Sequence, residues 1–281
     1  MALRKLLLIL LFPAFAAAQT PMSKLLRKRA GGCSDADATK YITAVTNAGG
    51  SLTAGEQTAV CELVVAKKAA GTWTKDLAFY PMLGGTAASV VINLKDTSTY
   101  RGTLYNSPTI SSTGIDWNGT TQYMSTTFDL STLASQNNQH IMYYSMENVN
   151  EPAIPMGGGT LNIATDLELY NSTLYAFNGT NGGDYATVAL GTTAGVFINT
   201  RVASTDFTVY QDGTSIATKS ATALANLGFL LYIGATAGGG NVAAYFTTMK
   251  CGMAAFGNGY TSGEVAAETT ALNTFKTATG K

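Results

Sequence analysis

Histidine is nearly absent: His140 is the one imidazole among 281 residues. Any Ser-His-Asp or Cys-His arrangement must use it, and no G-x-S-x-G elbow accompanies it. His140 opens a strand-like run, HIMYYSM, where an ordinary hydrogen-bonded histidine is expected, so no catalytic residue is assigned. Charge is also scarce, at 12% Asp, Glu, Lys and Arg. The net charge of zero hides an asymmetry. Six of the 17 basic residues and no acid lie in residues 1–32, leaving 11 basic against 17 acidic residues beyond them. An acidic body lacks the basic face that phosphate contact needs, which excludes a nucleic-acid partner. The three cysteines, Cys33, Cys61 and Cys251, are odd in number and far apart, which fits neither a disulfide framework nor a zinc site. Buried, idle thiols are expected, and one pair can bridge only in an oxidising compartment.

What is plentiful is Gly, Thr, Ser, Asn and Tyr, the composition of an extracellular or virion β protein. At the amino terminus, MALRKLLLILLFPAFAAA fits a secretory signal peptide over residues 1–18, ending at Ala16-Ala17-Ala18. Its apolar run is short and broken by Pro13, unsuited to spanning a bilayer. A basic segment, Met22 to Arg29, follows before Gly31-Gly32. A second reading makes the whole 1–32 stretch an apolar and basic arm that anchors in a neighbouring subunit.

Residues 33–72 read as a helical hairpin. Ser34 and Asp35 can cap a helix through Val45, and Thr53-Ala-Gly-Glu56 is a capping box opening a helix that stops at Gly71. Ala59, Val60, Leu63 and Val64 share one face. From 73 to 281 the periodicity becomes that of short strands at 8–12-residue spacing, which predicts a mainly β sandwich. Strands are expected over 77–80, 89–94, 110–117, 122–128, 140–146, 160–166, 168–178, 185–190, 196–201, 207–211 and 229–233, with one or two more over 243–256. Asn118-Gly119, Asn178-Gly179, Asn181-Gly182 and Asp212-Gly213 mark turns. Asp212-Gly213 is a hairpin signal, since a type I′ turn needs positive φ at both central residues. Thr261 and Glu264 form a capping box for a last helix.

The order FTVYQDGTSIATKS, FLLYIGATAGGG, AAYFTTMKCGMAAFG, then a capped helix resembles the closing half of laminin-G-like, concanavalin A-like jelly rolls. The front end, from SDADATKYITAV through AAGTWTKDLAFYPMLGGTA to VVINLKD, with GIDWNGTTQYMST after it, is similar to structural proteins of tailed bacteriophages. That likeness covers about residues 22–281, and residues 1–18 depart from it. It implies an antiparallel β-sandwich jelly roll carrying an N-terminal two-helix unit and a C-terminal helix. It further implies a non-enzymatic virion protein, a head or tail decoration or adhesin that touches host-surface glycans. Its partners would be other virion structural proteins, in a homo-oligomer or larger assembly. The alternative is a secreted lectin-like carbohydrate-binding or adhesion protein. A weaker alternative is a glycoside hydrolase, for which Asp166-Leu-Glu168 is the nearest carboxylate pair, on one strand face.

Sugars are held on aromatic platforms edged by amide and carboxylate groups. Two clusters offer these: Trp117, Asn118 and Tyr123, and Tyr170, Tyr175, Asn178 and Tyr185. The competing reading puts these aromatics in the core with a polar end reaching out. No cofactor is required. Calcium is the one considered, because laminin-G-like folds often hold an ion between loops, with Asp116, Asn118, Asn181 and Asp184 as oxygen donors. The Asn-x-Ser/Thr triplets at Asn118, Asn171 and Asn178 read as turns in a phage or bacterial setting.

Overall fold

A computed structural model describes residues 33–160, 162–170 and 172–281. The signal-like segment, the basic arm and Asn171 lie outside them. The body is an antiparallel β-sandwich of jelly-roll type with two helices before it and one after. The first sheet has the order β13 (Thr214–Ser220), β12 (Asp206–Gln211), β11 (Gly195–Arg201), β6 (Gln139–Ser145), β17 (Cys251–Gly257), β4 (Ile115–Asp116), β3 (Thr109–Ile110), and β1 (Asp76–Tyr80) also pairs with β17. The second has the order β10 (Ala186–Ala189), β9 (Thr173–Thr180), β8 (Ala164–Tyr170), β7 (Ala153–Gly159), β14 (Leu230–Ile233), β5 (Tyr123–Asp129), β2 (Thr103–Tyr105). A hairpin of β15 (Thr236–Ala237) and β16 (Ala243–Ala244) joins it through a short parallel pairing of β15 with β7.

Alternation along the first sheet divides the apolar residues between two cores. Tyr80, Ile141, Tyr143, Phe197, Ala254 and Phe256 point between the sheets, where they meet Met124, Leu167, Leu174 and Ile233. Their neighbours Phe79, Met142, Tyr144, Val196, Ile198, Met253 and Ala255 point the other way, beneath the helices. Strands buried on both faces read as continuous apolar runs, which is why HIMYYSM and CGMAAFG lack clean alternation.

The helices start where their caps dictate. Asp35 Oδ1 accepts from the amides of Asp37 and Ala38 to open α1 (Ala36–Asn47). Thr53 and Glu56 cap α2 (Ala54–Ala70), which ends at Gly71 in the left-handed conformation. Thr261 and Glu264 cap α4 (Ser262–Thr279). Between α2 and α4 in the chain, residues 89–94 are not the expected strand. Ser89 Oγ bonds to Thr86 N and Leu83 O, and this local side-chain bonding winds α3 (Ala87–Val90) instead. Likewise, 168–178 is no single strand: it folds into the β8–β9 hairpin. Asn178-Gly179 is no turn either, since both residues lie inside β9. The 110–117 run is a tight hairpin of β3 and β4. Asp212 and Gly213 do have φ of 47° and 81°, as a type I′ turn requires. The tip of that hairpin docks beside Thr269 of α4.

Cys33 and Cys61 form a disulfide across 28 residues, against the expectation of idle thiols, tying the start of the helical hairpin to α2. Their spacing carries no signal; α1 and α2 fold antiparallel and bring the two together. Closing such a loop restricts the unfolded chain by about 3–4 kcal/mol. Cys33→Ser, or reduction, is therefore expected to lower the melting temperature by roughly 10 °C, since about 1 kcal/mol shifts a domain of this size by a few degrees. Thermal melts with and without reductant check this. Cys251 is buried and free, and its thiol is pushed up to about 12, so it does not take part in exchange.

Candidate functional site

The outward face of the second sheet carries side chains that alternate with its core-facing Leu104, Met124, Ile233, Leu167 and Leu174. Tyr105 of β2 and Tyr123 of β5 are direct cross-strand partners. Their rings stack with centroids 4.5 Å apart and planes within 2°. Tyr232 of β14 continues the ladder, 4.7 Å from Tyr123, and Phe246 lies 6.1 Å from Tyr123. Tyr232 donates its hydroxyl to Asn241 O at 2.7 Å, which fixes the ring. Burial pushes the Tyr232 phenol up to about 12 and raises that of Tyr123, so both are neutral at physiological pH. Tyr105 is 42% exposed, and the nearby Tyr245 is 65% exposed with its backbone in the left-handed region at φ 53°. Amides edge the ladder. Gln122 Nε2 donates to Asn106 O and Ser107 O, and Asn106 Nδ2 donates to Thr121 O. Only the outer end of the ladder reaches solvent: Tyr105 is exposed and Tyr123 half-buried, with amides beside them, while Tyr232 is buried at 4% exposure.

The expected residues fall in several places. Tyr123 is the centre of the ladder. Trp117 is not on the surface; it is buried between the sheets, against Gly234. Asn118 is exposed, but its Oδ1 accepts from the amides of Thr120, Thr121 and Gln122, stapling the turn. Asn178 is fully buried, and its Nδ2 donates to Asn199 Oδ1 at 2.9 Å between the sheets. Tyr175 and Tyr185 form an edge-on pair at 5.3 Å near the opposite edge of the same sheet, and Tyr170 stands half-exposed at the end of β8. The two expected clusters are therefore not one platform. Tyr105, Tyr232 and Phe246 were not expected, because no local signal pairs β2 with β5 or β5 with β14.

Asp166 and Glu168 both face outward on β8. Asp166 is closed in: Thr236 Oγ1 donates to its Oδ1 at 3.1 Å, and burial pushes its carboxyl up to about 7. Burial also raises Glu168, which sits opposite Tyr175. Asp166 is thus only 6% exposed, while Glu168 is half-buried. His140 lies far from them, buried beneath the helices with Nδ1 2.6 Å from Asn258 O.

The calcium donors do not fit one ion. Asp116, on β4, pairs with Lys250 at 3.3 Å, and Asn118 is spent on its turn. Asn181 and Asp184 bond to each other, and Asp184 lies 3.6 Å from Lys219 of β13. β4 and β13 are separated by β17, β6, β11 and β12, which at roughly 4.8 Å per strand puts the two pairs more than 20 Å apart. Among the described residues, no group of three or more His, Cys, Asp or Glu side chains is placed to hold a metal ion.

No protein-family model matches the chain, and no curated protein matches it. Among solved structures, the chain is similar to the binding domain of botulinum neurotoxin DC in complex with SialylT. The TM-score is 0.50 at 10% identity, over 71% of this chain and 52% of that one. It is similar in the same way to a botulinum neurotoxin type C structure, described as depending on interaction with two ganglioside molecules to enter cells. There the TM-score is 0.50 at 8% identity, over 73% of this chain and 53% of that one. The chain spans about half the length of the solved domains it matches. At that identity the likeness is one of fold: a β-sandwich shared with binding domains.

Proposed function

We propose that the protein is a non-enzymatic adhesion module that holds cell-surface glycans at the Tyr105–Tyr123 end of the ladder. The observation that carries this reading is the ladder itself. These phenol rings lie on the outer face of the sheet, away from the sandwich core, and the exposed Tyr105 with the half-buried Tyr123 beside it offers a sugar ring apolar aromatic contact next to amide groups. The toxin neighbours support it only as a shared fold on which ganglioside interaction is described for one of them. The enclosure of Asp166 supports binding rather than hydrolysis.

The motif likeness of residues 22–281 favours display on a virion, mounted through the helical end. A secreted lectin-like protein is the second reading, favoured by the signal-like residues 1–18 and by the Cys33–Cys61 disulfide, which calls for an oxidising compartment. Mass spectrometry of the natural protein separates them: a mature start at Gln19 without particle association counts for secretion.

For the site, glycan-array binding of the wild type is expected to fall about tenfold or more in Tyr123→Ala, equivalent to about 1.4 kcal/mol. Tyr175→Ala is expected to leave binding unchanged. Binding lost in Tyr175→Ala and kept in a folded Tyr123→Ala would move the site to the β8–β9 end. An array without signal would remove the glycan reading.

A further inference from the structure

Beneath the helices, ionisable side chains meet without access to water. Lys67 continues the apolar stripe of α2 (Val60, Leu63, Val64), and Glu268 interrupts that of α4 (Val265, Leu272, Phe275). Asp76 opens β1. The side chains of all three are 0% exposed. Lys67 Nζ lies 2.9 Å from Asp76 Oδ2 and donates to Glu268 Oε1 as well. Glu268 Oε2 accepts from Thr72 Oγ1 at 2.7 Å. Tyr260 donates its hydroxyl to Asp76 Oδ1, the oxygen not facing the lysine, and His140 Nε2 is 3.7 Å from that same oxygen. The ammonium sits 4.7 Å over the Phe79 ring.

Two features make this more than an ion pair. Ions in an apolar interior each carry a desolvation cost of several kcal/mol, which a neutral product would remove. Burial also pushes the Asp76 carboxyl upward, toward the neutral acid that an amine can attack. The reacting groups are already in contact, so little positional entropy remains to be lost. A second carboxylate touches the amine, and a phenol touches the oxygen that would become the amide carbonyl.

We propose that Lys67 and Asp76 join in an intramolecular isopeptide bond, with Glu268 carrying the proton and Tyr260 holding the carbonyl oxygen. Starting from the ion pair, one proton passes from the ammonium by way of Glu268 to Asp76 Oδ2, leaving amine and carboxylic acid. The Nζ lone pair forms a bond to Cγ, and Tyr260 donates to Oδ1 as negative charge builds there. Glu268 takes a second proton from nitrogen and returns it to Oδ2. The Cγ–Oδ2 bond breaks and water leaves. Ammonium and carboxylate thus become one secondary amide and one water, with no oxidant or co-reactant, and Glu268 ends ionised as it began. The link ties the end of α2 to β1.

The test is a tryptic map of the reduced full-length protein. Acylation blocks cleavage after Lys67, so the expected product is peptide Tyr41–Lys68 joined to Asp76–Lys95, lighter than their sum by one water. Fragment ions must place the junction at Lys67 and Asp76. Two separate peptides of full mass, with cleavage after Lys67, would overturn the proposal. Glu268→Gln keeps the shape and an acceptor for Thr72 but cannot carry the proton. Folded by circular dichroism, it is expected to give the separate peptides; full linkage in it would remove Glu268 from the reaction. If that variant does not fold, the wild-type map decides alone.

Discussion

Replacing Lys67 with Met is expected to cost about 3–5 kcal/mol of stability, because it abolishes any link to Asp76 and leaves two carboxyl groups buried without the nitrogen they share. Met matches the aliphatic stem of lysine, so the packing of α2 on the sheet is kept. What is lost is the nitrogen between Asp76 and Glu268, the cation of the unlinked pair and the amide of the linked one. Tyr260 and Thr72 still donate one hydrogen bond to each acid, which is too little for two anions in a dry site. At about 2–4 °C per kcal/mol for a domain of this size, the melting temperature should fall by roughly 10–15 °C. Removing one acid as well, in Lys67→Met with Glu268→Leu, should recover most of the loss, since Asp76 alone can stay protonated and accept from Tyr260. Calorimetry on the pair of variants checks both. A single variant that melts within about 2 °C of wild type would mean that the cluster is hydrated and the burial argument wrong.

The position of Lys67 was open to view in the sequence, and its meaning was not. A lysine on the apolar stripe of α2 and a glutamate on that of α4 are each a local conflict. Resolving the conflict requires knowing that α2 and α4 pack side by side on one sheet. Features settled by neighbouring residues were legible for the opposite reason. The caps at Asp35, Thr53 and Thr261 and the Asp212-Gly213 turn each close hydrogen bonds within four residues. β7 was missed because AIPMGGG offers proline and glycine where a strand should offer branched side chains; its partners β8 and β14 make it a strand. Gly179 was misplaced because Asn-Gly signals a turn, although here it lies in β9 near a register shift in the pairing with β8. The tyrosine ladder joins three strands distant in the chain, so Tyr123 could be singled out and Tyr105 and Tyr232 could not. Trp117 and Asn178 show the converse: sugar-binding residue types serving the interior.

Asp166→Asn is expected to stabilise the protein by about 4 kcal/mol above pH 7 and to do almost nothing near pH 4, reckoned at about 1.4 kcal/mol per pH unit. The carboxyl of Asp166 is pushed by burial from an ordinary 3.8 to about 7. Across that interval the folded state holds a proton that the unfolded state has released, so stability falls as pH rises, and the whole cost remains above about 7. Asparagine keeps an acceptor for Thr236 Oγ1 and carries no charge. His140 acts in the opposite sense. Burial lowers its imidazole from 6.5 to about 4, with Lys67 and Lys75 adding to the fall and Asn258 O and Glu268 opposing it. Its contribution is complete above about 6.5 and is lost as pH falls through about 4. Between about 4 and 6.5 the two slopes cancel in the wild type, whose stability should be nearly flat there and should decline toward pH 7. The Asn variant should instead rise over that range and stay level beyond it. Urea unfolding at about pH 4.5, 6 and 8 distinguishes these shapes, and an equal difference between the proteins at all three would contradict the buried carboxyl. Ionisation has no easy outlet, because Asp166 Oδ1 fills the space where a side chain at Gly157 would stand and Thr236 closes over it. Gly157 is in turn the cross-strand partner of Tyr232. The cost of that charge is therefore borne where β7 pairs with β14, the strand that carries Tyr232.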